Sequence, residues 1–109
     1  MAWLVRDDEV LASLEIADSA RARARGLLGR EGIDGAIYLV PCRSVHTLGM
    51  RFAIDVAFVD DEMVVLRVVH MKPWRLARPS WRARGVVEAE AGSFASWELR
   101  VGDQLEVRR

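Results

Sequence analysis

The sequence holds a single cysteine, Cys42, so no disulfide can form within the chain. Lys72 is its only lysine and the other basic residues are all arginine, a bias that follows GC-rich codons rather than any one chemistry. Neither sign of charge is in excess. The 16 basic and 16 acidic residues cancel, which removes the overall field that draws a protein to nucleic acid or to anionic lipid. No window approaches the ~18 apolar residues of a membrane span. The opening MAWLVRDDEV reaches three acids before any apolar run of signal-peptide length, so a cytoplasmic protein without a membrane segment is expected. There is no glycine-rich phosphate loop, no Ser–His–Asp ordering and no paired-carboxylate motif. Internal repeats and low-complexity tracts are also missing.

What remains is a chain of 109 residues, 51% hydrophobic, with no obvious linker, which reads as one domain over 1–109. Two short apolar runs, 3–6 and 10–17, flank a polar Asp-Asp-Glu turn and predict a hairpin. The run SARARARGLL then combines strong helix formers with a capping residue, Asp18 or Ser19, and predicts the main helix over about 18–29, ended by Gly29 or Gly32. Its alternating arginines read as a solvated face rather than a nucleic-acid patch. Further strands are predicted at 35–40, 54–59, 63–70, 85–90 and 104–107, with a short helix near 93–97. Long loops fall at 41–53 and 72–85. These elements predict a β-rich α+β fold: a compact, mostly antiparallel or small barrel-like sheet of about seven strands.

The polar residues worth weighing lie mostly in and beside those loops. Asp55 sits in the middle of an apolar strand. Buried, its charge must be met by a partner or its pKa must rise. It is either a base or ligand group at a loop mouth, or a structural carboxylate that accepts from loop amides or pairs with an arginine and so pins the 41–53 loop, with Arg51, Arg43 and the arginines of 75–84 as candidate partners. The structural role is the favoured one. His46 can act as an acid, base or metal ligand, or simply lie hydrogen-bonded at the surface, and Thr47 follows it. Cys42 and His46 have C-x3-H spacing, with Met50 and His70 nearby in sequence, a soft set suited to copper or zinc. One cysteine and two histidines fall short of a four-ligand site, so no metal and no cofactor is expected. Cys42 paired with His46 as nucleophile and base is weighed against a small core residue. The 72–85 loop interleaves Trp74 and Trp81 with Arg75, Arg78, Arg82 and Arg84, a mixture that stacks on flat ligands, binds anions or docks proteins.

The ordered set of motifs resembles the DUF192 family of small bacterial and archaeal domains. It runs Arg23, Gly26, Leu27, Leu28; then His46, Thr47; then Ile54, Asp55, Phe58, Asp60; then Val87, Glu88, Gly92; and finally Gly102, Asp103. The resemblance covers about residues 10–107. Leu28 stands where a methionine is often found. What the resemblance implies is a compact, strand-rich single-domain fold; it assigns no activity.

Two functions are therefore carried forward. The first is a non-enzymatic binding or interaction domain that uses the 41–53 and 72–85 loops as a joint surface for a small anionic ligand or a protein partner, with nucleic acid disfavoured. Its residues are Trp74, Arg75, Arg78, Trp81 and Arg82. The second is a small enzyme with a site around Asp55, His46 and Thr47, with Cys42 in support, acting on a small polar substrate. The second requires Asp55 and His46 to share a cleft.

Overall fold

The computed structural model describes residues 1–109. Seven strands form one sheet: β1 (Ala2–Arg6), β2 (Glu9–Ala17), β3 (Ala36–Leu39), β4 (Ile54–Val59), β5 (Val65–Met71), β6 (Gly85–Glu90) and β7 (Glu106–Arg108). Their order across the sheet is β5-β4-β6-β3-β2-β1-β7. Only the β2–β3 pair is parallel, and the segment joining those two strands carries the main helix, α1 (Ala20–Arg25). The second helix, α2 (Ser93–Trp97), follows β6. The sheet curls without closing. A lone bridge, Val64 to Gln104, links its two edges, and Leu105 N–H donates to the Met63 carbonyl beside it.

The middle strands are covered on both faces, and their sequences show why. IDVAFV and AIYL are apolar at nearly every position instead of alternating. Every residue of β4 and of β3 is buried. Leu4, Tyr38, Ala57, Val59, Val87 and Phe94 belong to the core on the face covered by α2. Ile37, Leu39, Ile54, Val56, Phe58 and Val86 belong to the core on the other face, under Leu27, Val45, Met50 and Ala83. Phe58 is wholly buried, and the Arg67 guanidinium lies 4.2 Å from its ring centroid. Burial of a side chain such as Phe58 or Leu4 contributes roughly 1.5–3 kcal/mol.

The helix is shorter than the sequence predicts. Ser19, not Asp18, is the cap, and its hydroxyl accepts from Ala22 N–H at 3.1 Å. Gly26, rather than Gly29 or Gly32, ends the helix at a φ of 46°, with its own N–H returned to the Ala22 carbonyl. Propensity alone would extend the helix through Leu27 and Leu28. The chain instead turns so that Leu27 is almost wholly buried in the core while Leu28 stays partly exposed. Tertiary burial therefore overrides local propensity here. The remaining elements fall where the sequence places them, within a residue or two at their ends.

Candidate functional site

Asp55 faces α2. Its neighbours on the odd positions of β4, Ala57 and Val59, lie in the core beneath that helix. The carboxylate accepts from the backbone N–H of Gly92 at 3.0 Å and of Phe94 at 3.1 Å, both through Oδ2. Its Oδ1 lies 3.2 Å from His70 Nδ1 on the neighbouring strand. The α2 segment supplies no side-chain cap of its own, because its N-cap is Gly92 in the left-handed region. Asp55 caps it from across the fold. None of the arginines expected as its partners reaches it, and the loop it pins is 90–94 rather than 41–53.

The two long loops meet on the opposite face. Thr47 fastens them. It is wholly buried, its hydroxyl donates to the Lys72 carbonyl at 2.7 Å, and the same oxygen accepts from Arg75 N–H at 2.9 Å. Its backbone makes two more links, N–H to the Arg75 carbonyl and carbonyl from Trp74 N–H. Further along, Ala77 N–H donates to the Val45 carbonyl and Ser80 N–H to the Arg43 carbonyl. Trp74 is held at a φ of 64°, an uncommon conformation for a bulky side chain. Trp74, Leu76 and Trp81 are exposed at 64%, 75% and 77%. Arg75, Arg78, Arg82 and Arg84 are exposed as well.

Where α1 meets the 41–53 loop, a pocket of about 80 Å³ opens over the sheet. Arg23, Leu27, Cys42, His46, Met50 and Glu88 are among its walls. Glu88 belongs to β6, opposite Ile37 of β3 and Val56 of β4, and is 5% exposed. No protein group hydrogen-bonds its carboxyl, and burial pushes its pKa up to about 7. Burial likewise raises the Cys42 thiol, and Arg23 opposes this shift. The thiol donates to the Ser44 carbonyl at 3.1 Å. His46 Nδ1 accepts from Leu48 N–H at 3.2 Å, so the ring's other nitrogen is the one left for an outside partner. No three of the His, Cys, Asp and Glu side chains converge as a metal site.

The family model of DUF192, described as an uncharacterized ACR, matches residues 3–107. The chain belongs to the DUF192 family. A UPF0127 protein of Pyrococcus furiosus is 32% identical over 111 residues, an alignment that covers 97% of this chain and 96% of that protein. A UPF0127 protein of Pyrococcus horikoshii is 33% identical over 98 residues, covering 85% of each chain. A crystal structure of a protein of unknown function from Novosphingobium aromaticivorans superposes with a TM-score of 0.81 at 17% identity. It covers 96% of this chain and 82% of that one, and at such identity it speaks for the fold alone.

Within this DUF192 fold, the residues singled out by sequence separate into two groups. Asp55 turns to the α2 face, whereas His46, Thr47 and Cys42 lie with the loops on the other. Asp55 and His46 therefore do not share a cleft. Thr47 spends its hydroxyl on the loop backbone, and Cys42 is a half-buried thiol kept protonated by its surroundings. Glu88, named above only as a residue of the family motif, is the pocket residue absent from the candidate site. Its signal was the same one that marked Asp55, an acid inside an apolar run, here Val86-Val87-Glu88-Ala89. No helix of the DUF192 chain is long and apolar enough to cross a membrane.

Proposed function

We propose that this chain is a non-enzymatic binding domain that docks an acidic, partly apolar segment of another protein on its 72–85 loop, with the 41–53 loop as the rigid backing. The observation that carries this reading is the exposure of Trp74, Leu76 and Trp81 on a loop riveted to the sheet through Thr47. Large aromatic side chains held out in water are the residue type that dominates interface energies. Ordering them in advance reduces the entropy lost on docking. Charge sets the partner's chemistry. Residues 72–85 carry Lys72, Arg75, Arg78, Arg82 and Arg84 and no acid, in a chain whose total charge is zero. The enzyme reading around Asp55, His46 and Thr47 has less support, because Asp55 and His46 sit on opposite faces of the sheet.

The test is a titration of isotope-labelled protein with a short peptide rich in glutamate and leucine, followed by NMR. The indole N–H signals of Trp74 and Trp81 should move, and raising the salt should weaken the effect. Arg75→Glu with Arg78→Glu should abolish it without unfolding the domain, since both side chains are exposed. Shifts confined to the α2 face, or equal binding by the doubly reversed variant, would sink the proposal.

A further inference from the structure

No tryptophan lines the Glu88 pocket, and it calls for an occupant of a different kind. A glutamate at 5% exposure whose carboxyl has no hydrogen-bond partner in the protein is an unusual thing to keep in a core. It faces a space of about 80 Å³, enough for several waters and far below the ~300 Å³ or more of a nucleotide- or drug-sized site. Leu27, Leu39, Val45 and Met50 make the walls apolar. Arg23 and Arg25 of α1 and His46 of the 41–53 loop bring basic groups to the same pocket, and Glu88 is its only acid. The residues paired with Glu88 on either side, Ile37 and Val56, carry no charge. Arg23 is oriented by the Asp18 carbonyl at 3.0 Å and the Val40 carbonyl at 3.4 Å, and its charge is felt at the Cys42 thiol.

We propose that this pocket binds a small aliphatic monocarboxylate, held between Glu88 on the sheet and the arginines of α1. The two arginines that line the pocket repel a cation and draw an anion. With Glu88 neutral the pocket is net positive. The carboxyl O–H of Glu88 then donates to the ligand carboxylate, and the short alkyl tail packs on Leu27, Leu39 and Met50. The proton stays on Glu88 and no bond is made or broken. The consequence is a proton linkage. Burial keeps Glu88 protonated up to about 7, so above that pH each bound anion must bring one proton with it.

Sodium propionate is the probe, and binding is followed by amide shifts at Leu27, Cys42 and His46 between pH 6 and 9. Affinity should be flat below 7 and fall about tenfold per pH unit above it. Glu88→Gln keeps a donor at the same place and should bind with no such slope. His46→Gln, at an exposed position, should keep the slope, which separates Glu88 from the imidazole as its source. Arg25→Glu, also exposed, should weaken propionate at every pH and serves if Glu88→Gln fails to fold. A slope that vanishes in His46→Gln, a wild-type affinity that is constant or rises with pH, shifts confined to other residues, or ethylammonium binding in place of propionate would each overturn the assignment.

Discussion

Replacing Thr47 with valine removes one oxygen and keeps the shape, which makes it a clean probe of the junction between the two loops. The hydroxyl serves both as donor to the Lys72 carbonyl, at 2.7 Å, and as acceptor from Arg75 N–H, at 2.9 Å, inside a residue with no exposed surface. Valine leaves both backbone groups unpaired, and an unsatisfied buried polar group costs about 1–3 kcal/mol. Lys72 and Arg75 lie at the surface, so water can rescue part of that loss, and a destabilisation of about 2–3 kcal/mol is expected. Thr47→Ser keeps both hydrogen bonds and loses one methyl group, worth about 0.8 kcal/mol. Urea unfolding measures both variants, and an unchanged m-value shows that the comparison is one of stability. Hydrogen exchange should localise the effect, with the Arg75 amide speeding up most because its acceptor is gone. If valine is as stable as serine, or more so, then burial rather than hydrogen bonding secures the loops, and the account of Thr47 as their rivet is wrong.

Other expectations follow from the same geometry. Asp55→Ala should cost about 2 kcal/mol, the upper end for a lost helix cap, with circular dichroism of the α2 region weakened, while Asp55→Asn, which keeps an acceptor, should cost about half as much. Glu88 should make the wild type less stable as pH rises. Its carboxyl takes up a proton more readily folded than unfolded, so stability is full below 4.5 and declines through about 7. At 1.36 kcal/mol per unit that decline amounts to about 3 kcal/mol, and melting curves of Glu88→Gln from pH 4 to 8 should lack it. Gly85→Ala should destabilise by about 1–3 kcal/mol through overpacking, because the added methyl would lie 2.5 Å from the Tyr38 ring and 2.9 Å from the Leu39 carbonyl; a neutral result in thermal unfolding would mean that the ring moves aside freely.

The parts of this fold that sequence made legible are those written in local pattern. The apolar run ended by Asp60-Asp61-Glu62 located β4, the apolar run after Gly85 located β6, and the Asp7-Asp8-Glu9 turn located the first hairpin. Strand order was not legible, because it depends on which strand edges meet, and the β2–β3 parallel pairing leaves no mark in either strand. The sites divide in the same way. An acid within an apolar strand announced that Asp55 must have a partner, but not which face it would take or that backbone amides near residue 92 would be that partner. Glu88 carried the same signal, but in the sequence it stands out only as a strand residue and as part of the family motif. Nothing local reveals that α1 and the 41–53 loop close over it. The contact between the two loops is likewise not written in local pattern: it rests on the hydrogen bonds from Thr47 to the backbone of residues 72 and 75.

The capping of α2 by Asp55 also has a kinetic side. Five residues are too few to form a helix by themselves, since nucleation is costly and pays back only with length. The group that ties down its first turn comes from 37 and 39 residues earlier in the chain. The α2 turn can therefore become ordered only after β4 and β6 have paired and brought Asp55 alongside it. In the language of transition states, α2 should show low φ-values while the β4–β6 ladder shows high ones. A change at Asp55 should then act mainly on the unfolding rate, so that the aspartate works as a late latch on an already assembled sheet.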